Sequence, residues 1–586
     1  MLRRMLPSRL LRQLLTAMVL LALPLSSAAL CLDLPEGESG LTQKPLVKAD
    51  KHMVVAAHPL AAEAGLEMQR KGGSAIDAGI ATQLVLNLVE PQSSGIGGGA
   101  FMLYWDARSE TLTSYDGRET APKGATPELF LGADGKPLPR RAARNSGLSV
   151  GVPGLLAVLK QVHDEYGKLP WGALFEPAIA LARDGFPVSP RLTKMLGNTN
   201  PNTFAPSARA YFFDAQGQPR PAGHILKNPD LAETFEIIAS DGPDAFYKGA
   251  IATDIAKAVQ NDPRKPGTLD ENDLAGYRAK TRLAVCSLYR GRKVCGAGPP
   301  SSGAVAVSQV LSLIEPFDLG TAALDAQAAH RIVEAQRLAF ADRGRYLADP
   351  DFVAVPVDGL LDETYLAERR TLIDADKAQS QVSPGTPPNL ARAFGRDHTK
   401  EKGGTSHVSV VDGEGDAFSL TTSIEFAFGA RTMVRGFLLN NQLTDFSFRP
   451  EDAQGRTIAN RVEAGKRPRS SMDPTMIFDA DGDLEYVLGS PGGPGIILFN
   501  LKTIIGLIDW QMDAAEAAGL VNFGGTTRGV VVESGPAWDK LAADLEARGH
   551  TVRRMPMTSG QHVIAVTPEG LEGGADPRRE GVALGD

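Results

Sequence analysis

The chain has 586 residues, enough for a large buried core and, by length alone, for three or four domains. Its formal net charge of −8 with no basic cluster excludes nucleic-acid binding as its business. Three cysteines exclude a disulfide-built scaffold.

Residues 1–28 read as a secretory signal. Arg3, Arg4, Arg9 and Arg12 precede an apolar run from Leu14 to Leu25 that is too short to span a bilayer, and Ser26-Ser27-Ala28-Ala29 offers a cleavage point after about Ala28. Lipidation at Cys31 is not expected, because Leu30 is a poor residue to precede a lipidated cysteine. Losing 1–28 removes four arginines and no acid, which moves the charge from −8 to −12. No later stretch is long and apolar enough to cross a membrane. Export across the inner membrane to the periplasm is the expectation.

Residues 54–104 read helix, helix, strand. Pro59 to Arg70 stops at Gly72-Gly73, and Ser74 is a fitting N-cap for a second helix that ends near Glu90-Pro91. Gly95-Ile96-Gly97-Gly98-Gly99-Ala100 has the letters of a dinucleotide fingerprint, but a helix precedes it and the strand-like Phe101 to Trp105 follows. That order is the reverse of what a dinucleotide site needs, so the glycines are read as close-packing positions. Gly147-Leu148-Ser149-Val150-Gly151 matches the nucleophile-elbow spacing, yet no apolar strand leads into it, and a serine hydrolase is set aside. Residues 185–225 are expected to be long ordered loops, and 246–261, 303–315 and 325–344 to be helical. The tail from about Glu572 is polar and expected to fray.

Cys286 and Cys295 flank Tyr289-Arg290-Gly291-Arg292, a hairpin signal. A two-residue turn at Arg290-Gly291 places the two cysteines opposite each other as a non-hydrogen-bonded pair, the closer kind. Either a disulfide or two adjacent buried thiols fits that register.

The richest stretch begins at Thr405. Residues 405–411 and 416–424 read as two strands around a three-residue loop, Gly413-Glu414-Gly415, suited to a type I turn followed by a left-handed glycine. In that register Thr405 faces Ser423, and Glu425 lies one pleat further on the same face. Ala417, Ser419, Thr421 and Ser423 form the more polar face of the second strand. A threonine hydroxyl needs a base, and a free α-amine on the same residue is one. Its pKa of roughly 7.7–8.0 leaves a useful neutral fraction near neutrality. Thr405 is internal, so such chemistry requires cleavage of Gly404–Thr405.

From about Met53 to about Ile564 the chain resembles the γ-glutamyltranspeptidases, also called glutathione hydrolases. The resemblance is carried by Pro91-Gln92-Ser93-Ser94-Gly95-Ile96-Gly97-Gly98-Gly99-Ala100-Phe101, by Arg118-Glu119-Thr120-Ala121-Pro122 and by Pro299-Pro300-Ser301-Ser302-Gly303. Further along come Thr405-Ser406-His407, Leu439 to Phe446 (LNNQLTDF), Arg467 to Pro474 (RPRSSMDP) and Gly489-Ser490-Pro491-Gly492-Gly493. Each is weak alone; all of them in order are specific.

The resemblance implies an α+β fold, the four-layer αββα sandwich of N-terminal-nucleophile hydrolases. It also implies self-cleavage into a large subunit, 29–404, and a small subunit, 405–586. The γ-glutamyl group of glutathione or a related donor is then carried on Thr405 and passed to water or to an amino-acid or peptide acceptor. Arg118, Ser470 and Ser471 match the binders of the donor α-carboxylate, a task that suits an arginine fork. Asp445 and Gln442 match acceptors for the α-ammonium, and Glu425 falls where many relatives have asparagine and others glutamate. Ser423 replaces the usual threonine and keeps the hydroxyl. Gly492 and Gly493 match the backbone oxyanion hole, with Pro494-Gly495 following where many relatives have Ser-Arg. His407 is read as packing near the nucleophile rather than as a base, and 447–469 as a segment looping near the site. No cofactor or metal is implied: there is no HExxH, Walker A lysine or zinc-like cysteine spacing. Close relatives deacylate glutaryl-cephalosporins, and an unprocessed γ-glutamyl-binding homologue is a further alternative. Asp445 and Glu425 favour γ-glutamyl donors, because a glutaryl group would leave them buried and unpaired.

Overall fold

Strand pairing around the 405–423 hairpin organises the structure. It is a computed structural model that describes residues 39–586 apart from 322, 391, 400 and 402. The signal segment 1–28 and Cys31 lie outside the described residues. Thr405–Val411 and Ala417–Ser423 pair antiparallel with Thr405 opposite Ser423, as the three-residue loop requires. Asp412 N donates to Asp416 O at 3.0 Å, and Gly415 takes φ +85°, the left-handed turn position.

This hairpin sits inside a seven-stranded antiparallel sheet. Its order is Val582–Gly585, Met53–Ala56, Thr405–Val411, Ala417–Ser423, Gly99–Asp106, Thr111–Gly117, Lys280–Arg282. A second seven-stranded sheet runs Val47–Ala49, Gly570–Ala575, His562–Thr567, Leu484–Gly489, Thr475–Phe478, Arg292–Ala297, Ala284–Tyr289. Between the two lies an apolar layer of Met53, Val55, Leu103, Trp105, Met476 and Ile564, among others. On the opposite face of the first sheet, Val54, Val408, Val410, Phe418 and Leu420 pack against helices Pro59–Arg70 and Ala75–Val89. Gly303–Ile314 and Gly495–Ile508 cover the second sheet. The result is helix, sheet, sheet, helix, which lets each sheet bury both faces. That is why the hairpin's strands are buried at every position.

Alternation along the hairpin has an unexpected destination. Its polar face looks not at water but at the second sheet, and it is satisfied there. Ser409 Oγ donates to His562 O at 3.0 Å, Ser419 Oγ to Leu488 O at 3.4 Å, and the His407 ring meets Thr421 Oγ1 at 2.9 Å. Burial holds His407 well below its ordinary pKa, so it stays neutral.

The two early helices form where expected, and Ser74 closes a reciprocal capping box with Asp77. Gly97 to Gly99 are close-packing positions: a Cβ at Gly98 would lie 2.2 Å from Ser423 O. Gly147–Ser149 is a short 3-10 turn, and Ser149 Oγ is spent on Arg144 O and Ser146 O. Cys286 and Cys295 face each other and are joined as a disulfide, with Arg290 and Gly291 both at positive φ in the turn.

Two expectations need correction. The 185–225 stretch is not all loop, since Pro190–Gly197 and Pro206–Phe212 are helical. The tail does not fray. Gly570–Ala575 and Val582–Gly585 are strands in different sheets, and Arg578 and Arg579 between them are buried. The polar composition that suggested fraying is used internally, as Arg578 pairs with Glu533 at 2.6 Å and with Asp576 at 3.1 Å. Among the described residues no helix is long and apolar enough to cross a membrane.

Candidate active site

Thr405, Ser423 and Gly99 lie side by side at one end of the first sheet, and Arg118 follows directly on the strand that pairs beyond Gly99. Thr405 is nearly fully buried. Its Oγ1 donates to Ser423 Oγ at 3.4 Å, and Ser423 Oγ in turn donates to Gly404 O at 2.6 Å. The Glu425 amide donates to Ser423 Oγ at 2.8 Å and fixes the hydroxyl's direction. A hydroxyl chain therefore runs from Thr405 to the carbonyl immediately before it.

Glu425 departs from the pleat that the hairpin register extrapolates. The strand ends at Ser423, and Glu425 takes φ +74°, a turn conformation that redirects the chain. Strand alternation therefore does not set the side chain's direction, and Glu425 feels the Asp445 charge. Burial, with Asp445 adding repulsion, pushes Glu425 up to about 8. Asp445 is also pushed up by burial, to about 6, against the pull of Arg118. Asp445 Oδ2 accepts from Arg118 Nη2 at 2.6 Å and Gln442 Nε2 at 3.2 Å. Asp445 Oδ1, Glu425 Oε2 and Gln442 Oε1 are buried acceptors that take no hydrogen bond among the described residues.

Arg118 is fully buried. Besides Asp445 it donates to Pro468 O at 3.1 Å and Arg469 O at 3.1 Å. Its Nη1 makes only a 3.6 Å approach to Glu119. Glu119 escaped notice in the sequence. It is buried beside Arg118 without a hydrogen bond from any neighbouring side chain, and burial pushes it up to about 8.

The two serines divide their work. Ser470 Oγ accepts from the Met472 amide at 3.0 Å and shapes the turn, and its carbonyl accepts from the Ser302 amide at 2.8 Å. Ser471 Oγ instead accepts from Arg343 Nη2 at 2.6 Å and donates to Glu401 Oε2 at 3.0 Å. Neither hydroxyl bonds to Arg118 directly, although Arg118 Nη2 bonds the Arg469 carbonyl that immediately precedes Ser470. The 447–469 segment doubles back here: Asn460 donates to Asp445 O at 2.8 Å and accepts from the Arg469 amide at 2.9 Å. Asn440, also missed, ties Gly97, Gly151 and the Gln442 amide together through its side chain.

Gly492 and Gly493 take φ +142° and +55° just ahead of the helix Gly495–Ile508. Those angles suit glycine, and a helix N-terminus adds positive potential. Neither glycine amide makes a hydrogen bond among the described residues. The preceding Pro491 packs near Gly560 and Arg579, and Arg579 Nη1 donates to Thr405 O at 3.4 Å. The supposedly loose tail thus helps hold the Thr405 peptide.

Two stacked antiparallel sheets between helix layers, with a threonine opening a central strand, make this an N-terminal-nucleophile hydrolase fold. The sequence model of the family described as gamma-glutamyltranspeptidase matches residues 61–586, and the chain belongs to that family. It is 36% identical over 546 residues to the glutathione hydrolase proenzyme of Bacillus subtilis (strain 168), covering 91% of each. It is 34% identical over 555 residues to the acylase ACY 1 proenzyme of Pseudomonas sp. (strain SE83), covering 92% of this chain and 95% of that one. Among solved structures, cephalosporin acylase from Bacillus halodurans superposes with a TM-score of 0.82 at 27% identity, covering 94% of this chain and 99% of that one. The family supports a hydrolase or transferase made as a precursor.

Proposed function

We propose that the chain is a self-cleaving γ-glutamyltransferase and hydrolase whose nucleophile is Thr405, made as a precursor that divides into 29–404 and 405–586 after export to the periplasm. In the first reaction Thr405 Oγ1 attacks the Gly404 carbonyl carbon. The Gly404–Thr405 C–N bond breaks, the nitrogen takes the proton, and an ester remains that water hydrolyses. Ser423, donating to Gly404 O, stabilises the oxygen on which negative charge develops. The freed Thr405 amine then acts as base for Oγ1 in turnover. Oγ1 attacks the γ-carbonyl of glutathione or a related donor, the Gly492 and Gly493 amides receive the oxyanion, and the leaving amine departs with the proton. Water or an acceptor amine releases the γ-glutamyl ester.

The observation that carries donor choice is the pair of buried carboxylates, Asp445 and Glu425, with acceptor oxygens free for a cation. An α-ammonium pairs with them and restores their ionised forms. Mass spectrometry of purified protein tests the first step: a small subunit beginning at Thr405 is expected, and a single uncut chain overturns the reading. Thr405→Ala is expected to abolish both cleavage and turnover.

A second reading, a glutaryl acylase, is favoured by one observation. With burial pushing Glu425 up to about 8, its carboxyl keeps its proton near neutrality and needs no ammonium partner. Turnover of matched γ-glutamyl and glutaryl anilides decides: faster glutaryl cleavage selects the acylase.

A further inference from the structure

A cavity of about 580 Å³ opens beside the 447–469 segment, and none of its lining residues takes part in the proposed reaction. Its walls are residues 396–399 and a short hairpin spanning 447–458. The hairpin closes through Asp452 N to Arg456 O at 3.0 Å and Ile458 N to Pro450 O at 2.9 Å. Across from it, Gly395 N donates to Thr457 O at 2.9 Å and Asp397 N to Gly344 O at 2.8 Å. The 395–397 segment is therefore clipped between the hairpin and the end of the helix Ala326–Tyr346.

Two arginines on these walls have no carboxylate partner among the described residues. Arg396 is half-buried, and its side chain makes one long hydrogen bond, to Val382 O at 3.5 Å. Burial pulls Arg396 below the usual guanidinium range, and the charge of Arg345 pulls it further. Arg449 is exposed, and its guanidinium meets no hydrogen-bond or ion-pair partner among the described residues. The adjacent acids do not answer this demand. Asp397 is committed to Arg469 and to Asn460, each at 3.0 Å. Asp452 is taken by Arg456 at 2.7 Å and by the amides of Gln454 and Arg456. Glu451 lies on the wall and pairs with neither arginine.

Three arginines thus face two acids around the cavity, and Phe448 adds an apolar surface. A half-buried guanidinium beside a like charge is unfavourable, and a carboxylate satisfies it with two parallel hydrogen bonds. The cavity also neighbours the proposed donor pocket. Ser447 follows Asp445 by two residues, Thr399 Oγ1 donates to Phe446 O at 3.3 Å, and Asn460 bonds both Asp397 and the Asp445 carbonyl.

We propose that this cavity is a binding site for a carboxylate-bearing ligand, anchored by Arg396 and Arg449. Two sources share that chemistry. One is the amine half of the donor or acceptor, an amino acid or peptide with its own carboxylate. The other is a free carboxylate anion held apart from the reaction. The first source rests on the γ-glutamyl reading; the site does not.

Two measurements on the purified protein test the site and separate the sources. Citrate is titrated calorimetrically into the parent, Arg396→Leu, Arg449→Leu and Glu451→Gln, with thermal melts to check folding. Citrate is expected to bind the parent, to weaken about tenfold in either leucine variant and to tighten in Glu451→Gln, which removes the opposing charge. Arg396→Lys, which keeps the charge, is expected to lose less than Arg396→Leu. Arg449→Leu, on an exposed position, carries the test if Arg396→Leu does not fold. Rates are then compared for γ-glutamyl para-nitroanilide and its ring-carboxylated analogue, which differ by one carboxylate on the amine half. A KM that rises about tenfold in the leucine variants for the carboxylated anilide alone assigns the site to the amine half. Arginine-dependent citrate binding without that difference assigns it to a free anion. Citrate binding that is absent or indifferent to both arginines, with the two anilides affected equally, overturns the site. If neither anilide turns over in the parent, the γ-glutamyl reading fails instead, and the corresponding glutaryl pair makes the same comparison.

Discussion

Ser423 donates its hydroxyl hydrogen to the carbonyl oxygen of Gly404 at 2.6 Å while accepting from Thr405 Oγ1 at 3.4 Å. One side chain thus touches both the oxygen proposed to attack and the carbonyl of the bond proposed to be cut. It can do so because hairpin register sets residue 423 opposite residue 405.

Removing that hydroxyl should slow self-cleavage more than it disturbs folding. Ser423→Ala is expected to slow precursor conversion by about a hundredfold, the scale of losing one donor to a developing oxyanion. Ser423→Thr should retain conversion. A time course on denaturing gels reads both, and Ala and Thr variants converting equally fast would remove Ser423 from the mechanism.

Gly404→Ala should also stall the precursor. A Cβ there would lie 2.7 Å from Glu425 O and 3.0 Å from Ala427 N, both backbone atoms that cannot swing aside. The Gly404 carbonyl must then move off Ser423. The expected outcome is uncut chain with an unchanged circular dichroism spectrum.

Donor binding should follow the two raised carboxylates. Below about 6 both Asp445 and Glu425 are protonated and neutral; as pH rises through about 6 and then about 8 each becomes an anion able to pair an ammonium. KM for a γ-glutamyl anilide should therefore fall across that interval. KM for the glutaryl anilide, which brings no ammonium, should stay flat or rise. Glu425→Gln should erase the upper part of the γ-glutamyl trend. Parallel pH profiles for the two substrates would falsify the assignment of these carboxylates to the ammonium.

Cys286 and Cys295 close a short loop on an edge hairpin, distant in sequence from Thr405. Replacing both with serine is expected to cost about 2–3 kcal/mol of stability on loop-entropy grounds, seen as a lower melting temperature with kcat unchanged. A reductant should lower the melting temperature of the parent protein and leave the double variant unaffected.

Much of the site was legible because it is built on local geometry. A three-residue loop dictates the pairing of 405 with 423, and caps and glycines mark the helices Pro59–Arg70 and Ala75–Val89. The hairpin of Cys286 and Cys295 follows from its turn in the same way. Extrapolation failed where the chain left regular structure: Glu425 lies beyond the strand at positive φ, so strand alternation could not aim it. Composition misled at the tail, whose arginines are polar by type yet buried by pairing.

The sequence by itself determined the strand register that faces Thr405 with Ser423 and the motifs whose resemblance to the family implies the α+β fold. These depend on neighbours a few residues apart, or on residue identity. Only the tertiary structure decided that Asp445 binds Arg118, that Ser471 turns to Arg343 and Glu401 rather than to Arg118, and that Arg579 reaches back to Thr405 O. Those contacts join residues tens to hundreds of positions apart. They are selected by the need of each buried charge for a partner, which no local pattern records.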